Sequence, residues 1–224
     1  MASRHATRER TRLNDRRPLL VIGLVLGAVV IVILLTVSGR STSEATASAG
    51  DRLNTDPILG NPDAPVSIVE YGAYGCSACR AWHQAGIVEQ ILAEFPDQVN
   101  FIFRDFPVIV PTYDRMAAEI AQCALDQSQA AFWSFHDLLY TVAAPGMSQA
   151  QLIALGEPVG LDVASLQTCA TSGVHRETIA YDLERAMNLA LPGTPAFLVN
   201  DTRLFNASPD VLRTAVMNAL RQQS

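Results

Sequence analysis

Residues 66–83, VSIVEYGAYGCSACRAWH, constrain this chain more than any other stretch. A short apolar run ends in small residues, a Cys-x-x-Cys follows, and a helical pattern begins on top of it. Such a sequence carries a thiol pair from a strand to the N-terminus of a helix. Free N–H groups and the positive end of the helix dipole favour a thiolate there. Cys76, at or just before the first turn, is expected to be the exposed thiol. Cys79, three residues on, can bridge to it but points back into the protein. A bridge across so short a loop is readily reduced, which suits a redox pair better than a structural clamp. A Cys-x-x-Cys is also half of many zinc sites; the strand before it and the helix after it favour redox chemistry.

The N-terminal part has a different character. Residues 1–17 carry six arginines (Arg4, Arg8, Arg10, Arg12, Arg16 and Arg17) against Glu9 and Asp15, within a chain whose net charge is −6. The remainder is therefore strongly acidic, which argues against a nucleic-acid-binding body. Residues 19–37 form an uncharged run of about 19 residues rich in Val, Ile and Leu, close to the ~20 that span a bilayer. The basic flank before it, with only Arg40 shortly after it, predicts a cytoplasmic N-terminus. The reading is a basic cytoplasmic tail (1–17), a transmembrane anchor (18–38) and a small, polar, flexible stalk (39–55). Secretory leaders have shorter apolar cores, so the anchor is expected to stay uncleaved; cleavage after Ala47-Ser48-Ala49 is the alternative. Export places the rest in an oxidising compartment, where four cysteines are compatible with disulfides.

From residue 56 the periodicity predicts a strand over 66–71. An amphipathic helix over 80–95 follows, with Trp82, Ile87, Ile91, Leu92 and Phe95 at helical spacing, and then a buried strand over 99–103. Strand–helix–strand opens a thioredoxin-type fold. A wholly helical block follows, with helices over 112–126, 129–142, 148–155, 163–170 and 176–191. Short strands return at 196–200 and 203–206, and Ser208-Pro209 starts a final helix to about residue 221. The fold class is α/β: a thioredoxin fold (βαβ…ββα) with an inserted all-helical domain, preceded by one N-terminal transmembrane helix. Residues 56–106 make its first half, 107–188 the insertion and 189–224 the second half.

Cys123 and Cys169 fall in two inserted helices. A remote pair in an exported protein is more often a bridge than two inert thiols, and closing that loop contributes about 4 kcal/mol. Glu70 shares a strand face with Val66 and Ile68. Buried there, its carboxyl has a raised pKa and exchanges a proton; an ordinary solvated strand end is the alternative. Tyr74 and the apolar run 106–111 are candidates for a client-binding surface, the run reading equally well as a buried linker. His83 adds a third ligand to Cys76 and Cys79 without a clear fourth, and His5, His136 and His175 are scattered. No metal, and no cofactor beyond a redox-active disulfide, is expected.

Further segments complete a pattern: LGNPDAPV at 59–66, VEY at 69–71, RDFP at 104–107, Phe132-Trp133 with HDLL at 136–139, GLD at 160–162 and GTPAF at 193–197. In this order the chain resembles the DsbA-like thiol–disulfide oxidoreductases, in their membrane-anchored bacterial branch. The resemblance implies that Cys76 is the nucleophile, Cys79 the resolving thiol and Glu70 the proton carrier for Cys79. It also implies a cis Thr194–Pro195 bond in a loop, with Gly193, that faces the disulfide, pairs with an extended peptide and fills the space a metal would need. Ser77 and Ala78 depart from the pattern, since familiar members place a proline and often a histidine or aromatic residue there. With no imidazole in the loop, a milder oxidant is expected. The implied partners are newly exported or unfolded cysteine-containing proteins, a membrane quinone-linked thiol oxidase as reoxidant, and the membrane itself through the N-terminal helix. The implied state is a monomer with its catalytic domain outside the cell membrane, binding no nucleic acid. Two alternatives stay open: a reductase or isomerase, for example in cytochrome c maturation, and a non-enzymatic metal-handling protein using Cys76 and Cys79.

Overall fold

A computed structural model describes residues 56–205 and 207–223. The basic tail, the anchor expected at 18–38 and the stalk lie outside the described residues. Among those described, no helix is long and apolar enough to cross a membrane.

The centre is a five-stranded sheet of order β1-β3-β2-β4-β5. Its strands are β1 (Ile58–Gly60), β2 (Val66–Gly72), β3 (Val99–Asp105), β4 (Ala196–Val199) and β5 (Thr202–Arg203). β2 runs parallel to β3 and antiparallel to β4. Alternation along β2 sends Val66 and Ile68 to one apolar cluster and Val69 and Tyr71 to the other, so both faces of the sheet are covered. Glu70 is on the Val66–Ile68 face by the same period.

Between β2 and β3 the helix expected over 80–95 is two helices, α1 (Ser77–Gln84) and α2 (Ile87–Glu94). Gly86, at φ 62°, adopts the left-handed conformation and breaks the run. β1 has no counterpart among the expected strands, because three residues are too short to show a period. It is fixed by antiparallel pairing to β3 and by side chains of a distant helix. Gln129 Oε1 accepts from the Ile58 N–H at 2.8 Å, and Trp133 Nε1 donates to the Ile58 carbonyl at 2.9 Å.

The insertion comprises α3 (Pro111–Leu125), α4 (Gln129–Thr141), α5 (Gln149–Ala154), a 3-10 turn (Glu157–Val159), α6 (Val163–Ser172) and α7 (Arg176–Asn188). Its starts are capped from the sequence. Ser128 and Asp162 accept from Ala131 N–H and Ser165 N–H, and Ser148 with Gln151 forms a reciprocal capping box. Cys123 and Cys169 are bridged, with Cα atoms 5.8 Å apart, tying α3 to α6 as anticipated. α8 (Pro209–Gln223) closes the fold by burying Leu212 and Val216 in the Val66–Ile68 cluster.

Candidate active site

α1 begins at Cys76, its N-cap residue in extended conformation, so the thiol stands where the first helical N–H groups have no intrahelical partner. The Cys79 N–H donates to Cys76 Sγ at 3.2 Å. Sγ also lies 3.3 Å from the Thr194 carbonyl oxygen, an acceptor for the thiol proton. The Cys76 thiol is pulled down to about 5, first by the Cys79 thiol that hydrogen-bonds to it, then by the Thr194 side chain and the N–H groups of Cys79 and Ala78. Cys79 is pushed far the other way by burial, by donating to Cys76 and by the nearby Glu70 carboxyl. The two cysteines, unbridged here, are thus strongly unequal in acidity.

Exposure differs from expectation. Cys76 was expected on the surface, yet only 5% of it is exposed. The loop carrying the cis Thr194–Pro195 bond comes from the other half of the fold and covers it. Gly193, Thr194 and Pro195 are themselves half-buried, while Ser77 and Ala78 stand exposed beside the pair. Tyr74 is corrected more sharply: at 1% exposure it cannot meet a client. It lies on the Phe103 ring at 5.4 Å, and its hydroxyl is 3.0 Å from His136 Nδ1. Burial holds His136 neutral and the Tyr74 phenol protonated, so the O–H donates to Nδ1. The run 106–111 is divided: Phe106 is buried, while Val108 and Ile109 are 39% and 47% exposed.

Glu70 is buried on the same sheet face as the pair. Its carboxyl is raised to about 8, by desolvation first and next by the Cys76 thiolate, while a hydrogen bond with the Cys79 thiol acts in the opposite direction. Oε1 is buried without a hydrogen-bond partner, and Glu70 is among the residues lining a cavity of about 220 Å³. Trp82, His136 and Tyr140 form apolar and aromatic walls of that cavity, and His83, Glu89 and Asp137 supply polar groups. His83 Nε2 is 3.3 Å from Asp137 Oδ1, so this imidazole is engaged with a carboxylate of α4.

Sequence reasoning missed two supports. Asp114, buried at the start of α3, accepts from Gly75 N–H at 2.8 Å through Oδ1, and from Ile109 and Val110 N–H at 3.0 and 2.7 Å through Oδ2. Gly75 is required at this approach, because a Cβ would lie 2.6 Å from Asp114 Oδ1. Arg80, next to Cys79, donates to the carbonyls of Tyr140 and Ala143 at the end of α4, the latter at 2.6 Å. A guanidinium there complements the negative end of the helix. Neither residue sits in a recognisable local pattern, because the contacts that tie them to the site, Asp114 to Gly75 and Arg80 to Tyr140 and Ala143, join residues 39 to 63 positions apart.

A family profile described as thioredoxin matches residues 52–218. A probable disulfide bond formation protein D of Bacillus anthracis is 26% identical over 220 residues, covering 94% of this chain and all of that protein. A Na(+)/H(+) antiporter NhaA 1 of Salinispora arenicola is 34% identical over 150 residues, but the match spans 66% of this chain and only 22% of the antiporter. Among solved structures, oxidised BdbD from Bacillus subtilis superposes with a TM-score of 0.67 at 24% identity, over 75% of this chain and 95% of that one. At that identity the likeness is one of fold.

Proposed function

The chain belongs to the thioredoxin family as a DsbA-like thiol–disulfide oxidoreductase, and from that premise we propose that it oxidises cysteine pairs of exported proteins from the outer side of the cell membrane. The observation that carries this reading is the inequality of the two thiols. Cys76 is held as a thiolate at a helix N-cap, and Cys79 is buried and protonated against Glu70. Stabilising the Cys76 thiolate stabilises the reduced form, which makes the disulfide the better electron acceptor. Each pKa unit corresponds to about 30 mV for a two-electron couple.

In the oxidised protein a client thiolate attacks Cys76 Sγ. The Cys76–Cys79 bond breaks, a client–Cys76 mixed disulfide forms, and Cys79 leaves with the electron pair, taking a proton from Glu70. The second client thiolate then attacks the client sulfur of the mixed disulfide, and Cys76 leaves as the stable thiolate. The client has lost two electrons and gained a disulfide. Glu70 recovers its proton from solvent through the cavity that borders it. Gly193, Thr194 and Pro195 offer backbone to an extended client, with Val108 and Ile109 as nearby apolar surface. A pull to about 5 lies inside the range of roughly 3.5 to 7 for Cys-x-x-Cys proteins, in keeping with a mild oxidant whose loop carries Ser77 and Ala78. Anchoring by residues 18–38 and re-oxidation by a membrane quinone-linked thiol oxidase complete the proposal. The support for the anchor is the apolar run and its basic flank.

The test is an equilibrium titration of the chain against glutathione together with trapping by Cys79→Ala. A potential near that of the glutathione buffer, with client mixed disulfides accumulating on Cys76, supports the oxidase. A strongly negative potential supports a reductant instead. Cys76→Ser protein that still oxidises a dithiol peptide overturns the assignment of the nucleophile.

A further inference from the structure

The Cys123–Cys169 bridge is not surrounded by inert groups. His175, which no spacing in the sequence singled out, brings its ring against the bridge, and the ligand atoms of Cys123, Cys169 and His175 all lie within 4.8 Å of one another. A fourth donor stands beside them. Asp126 Oδ2 is 2.7 Å from His175 Nε2 and 3.6 Å from Cys169 Sγ. We propose that, once a dithiol reduces this bridge, Cys123, Cys169, His175 and Asp126 bind one divalent ion of the zinc class. The proposal is independent of the chemistry at Cys76.

The placement is built by three elements. Asp126 caps the end of α3 three residues after Cys123, so the two share one helical face. α6 ends at Gly173, at φ 67°, and the left-handed turn sends the chain back so that His175 faces the cysteine four residues before Gly173. A Cβ at Gly173 would be strained and would also lie 2.3 Å from the Arg176 guanidinium group. The His175 N–H is held by the buried Glu119 carboxylate at 3.0 Å, which fixes the backbone that carries the imidazole. Cys123 is buried while Cys169 and His175 are half-buried, so the cluster has one side open to solvent.

Two thiolates, an imidazole and a carboxylate form a mixed soft and borderline donor set, which favours zinc over magnesium or calcium. Tetrahedral zinc with bonds of about 2.0–2.3 Å places its ligand atoms roughly 3.2–3.8 Å apart. Breaking the S–S bond lets the sulfurs part to such a spacing, and the Asp126–His175 contact opens slightly to admit the ion. The reaction balances: the dithiol gives two electrons and two protons to the bridge and becomes a disulfide. The ion then displaces both protons from the new thiols. The bound ion keeps α3, α6 and the start of α7 joined when the covalent tie is gone, and it withholds both sulfurs from re-oxidation.

The full chain carrying Cys76→Ser and Cys79→Ser removes the catalytic thiols as ligands. Reduced with a phosphine, equilibrated with Zn²⁺ and desalted, it is expected to retain one equivalent of zinc and to melt at a higher temperature than without zinc. The oxidised protein should retain none. Cobalt in place of zinc should give a thiolate-to-metal charge-transfer band, and His175→Ala or Asp126→Ala should weaken cobalt binding at least tenfold. Reduced protein that holds no metal, that is unfolded even with zinc, or whose affinity is unchanged by His175→Ala overturns the proposal.

Discussion

Cys76 owes its acidity to its neighbours rather than to its loop. The Cys79 thiol and N–H, the Ala78 N–H and the Thr194 side chain replace the imidazole that Ser77 and Ala78 do not provide. Because this thiol falls to about 5 in the folded, reduced protein, the folded state binds fewer protons than the unfolded one between about pH 5 and the ordinary thiol range. That contribution is complete above the unfolded thiol pKa and is lost as the pH falls through 5. Glu70 works in the opposite direction: raised to about 8, it favours the folded state most at low pH and loses that contribution as the pH rises through 8. Only the reduced protein has the first effect. The melting temperature of the reduced form minus that of the oxidised form should therefore climb from pH 5 to 9, and a flat difference would remove the thiolate from the account. Glu70→Gln should slow release of Cys79 from the Cys76–Cys79 disulfide, the step that forms the mixed disulfide, by about 10²-fold below pH 7, as loss of a general acid does. The deficit should shrink above pH 9, where wild-type Glu70 is also deprotonated. Single-turnover kinetics with a dithiol peptide across pH measure this.

At the scale of elements, the site is a junction. α1 is tied to the end of α4 by Arg80, the turn before α1 to the start of α3 by Asp114, and Cys76 to the strand-entry loop by Thr194. Asp114 alone satisfies three backbone N–H groups on two segments. Asp114→Ala leaves them unpaired at a partly buried junction, at about 1 kcal/mol each. A loss of about 2–4 kcal/mol in urea unfolding is expected, together with a rise in the Cys76 pKa as Gly75 loses its anchor. A loss below about 0.5 kcal/mol would show that the junction does not depend on this carboxylate.

At the scale of the whole molecule, the inserted helices α3 and α6 are joined by the Cys123–Cys169 bridge, 46 residues apart in sequence. A loop of that length contributes about 4 kcal/mol, chiefly by restricting the unfolded chain. Cys123→Ser/Cys169→Ser should lose about that much stability while still forming mixed disulfides at Cys76. Loss of trapping in protein that remains folded would instead place the second bridge in the catalytic cycle.

Local order in the sequence was sufficient for the strand, the Cys-x-x-Cys and a helical segment after it, though not for its break at Gly86, because apolar period and helix-end chemistry act over a few residues. The capped helices of the insertion and the terminal Ser208-Pro209 start were legible for the same reason. Tertiary structure alone decided what lies between distant residues. It made β1 a strand by pairing it with β3, buried Tyr74 against Phe103 and His136, and covered Cys76 with the Thr194 loop. It also set Asp114 beneath Gly75 and brought His175 to Cys169. Desolvation and hydrogen bonding set the acidity of a thiol or a carboxyl, and both depend on atoms that only the folded chain brings near.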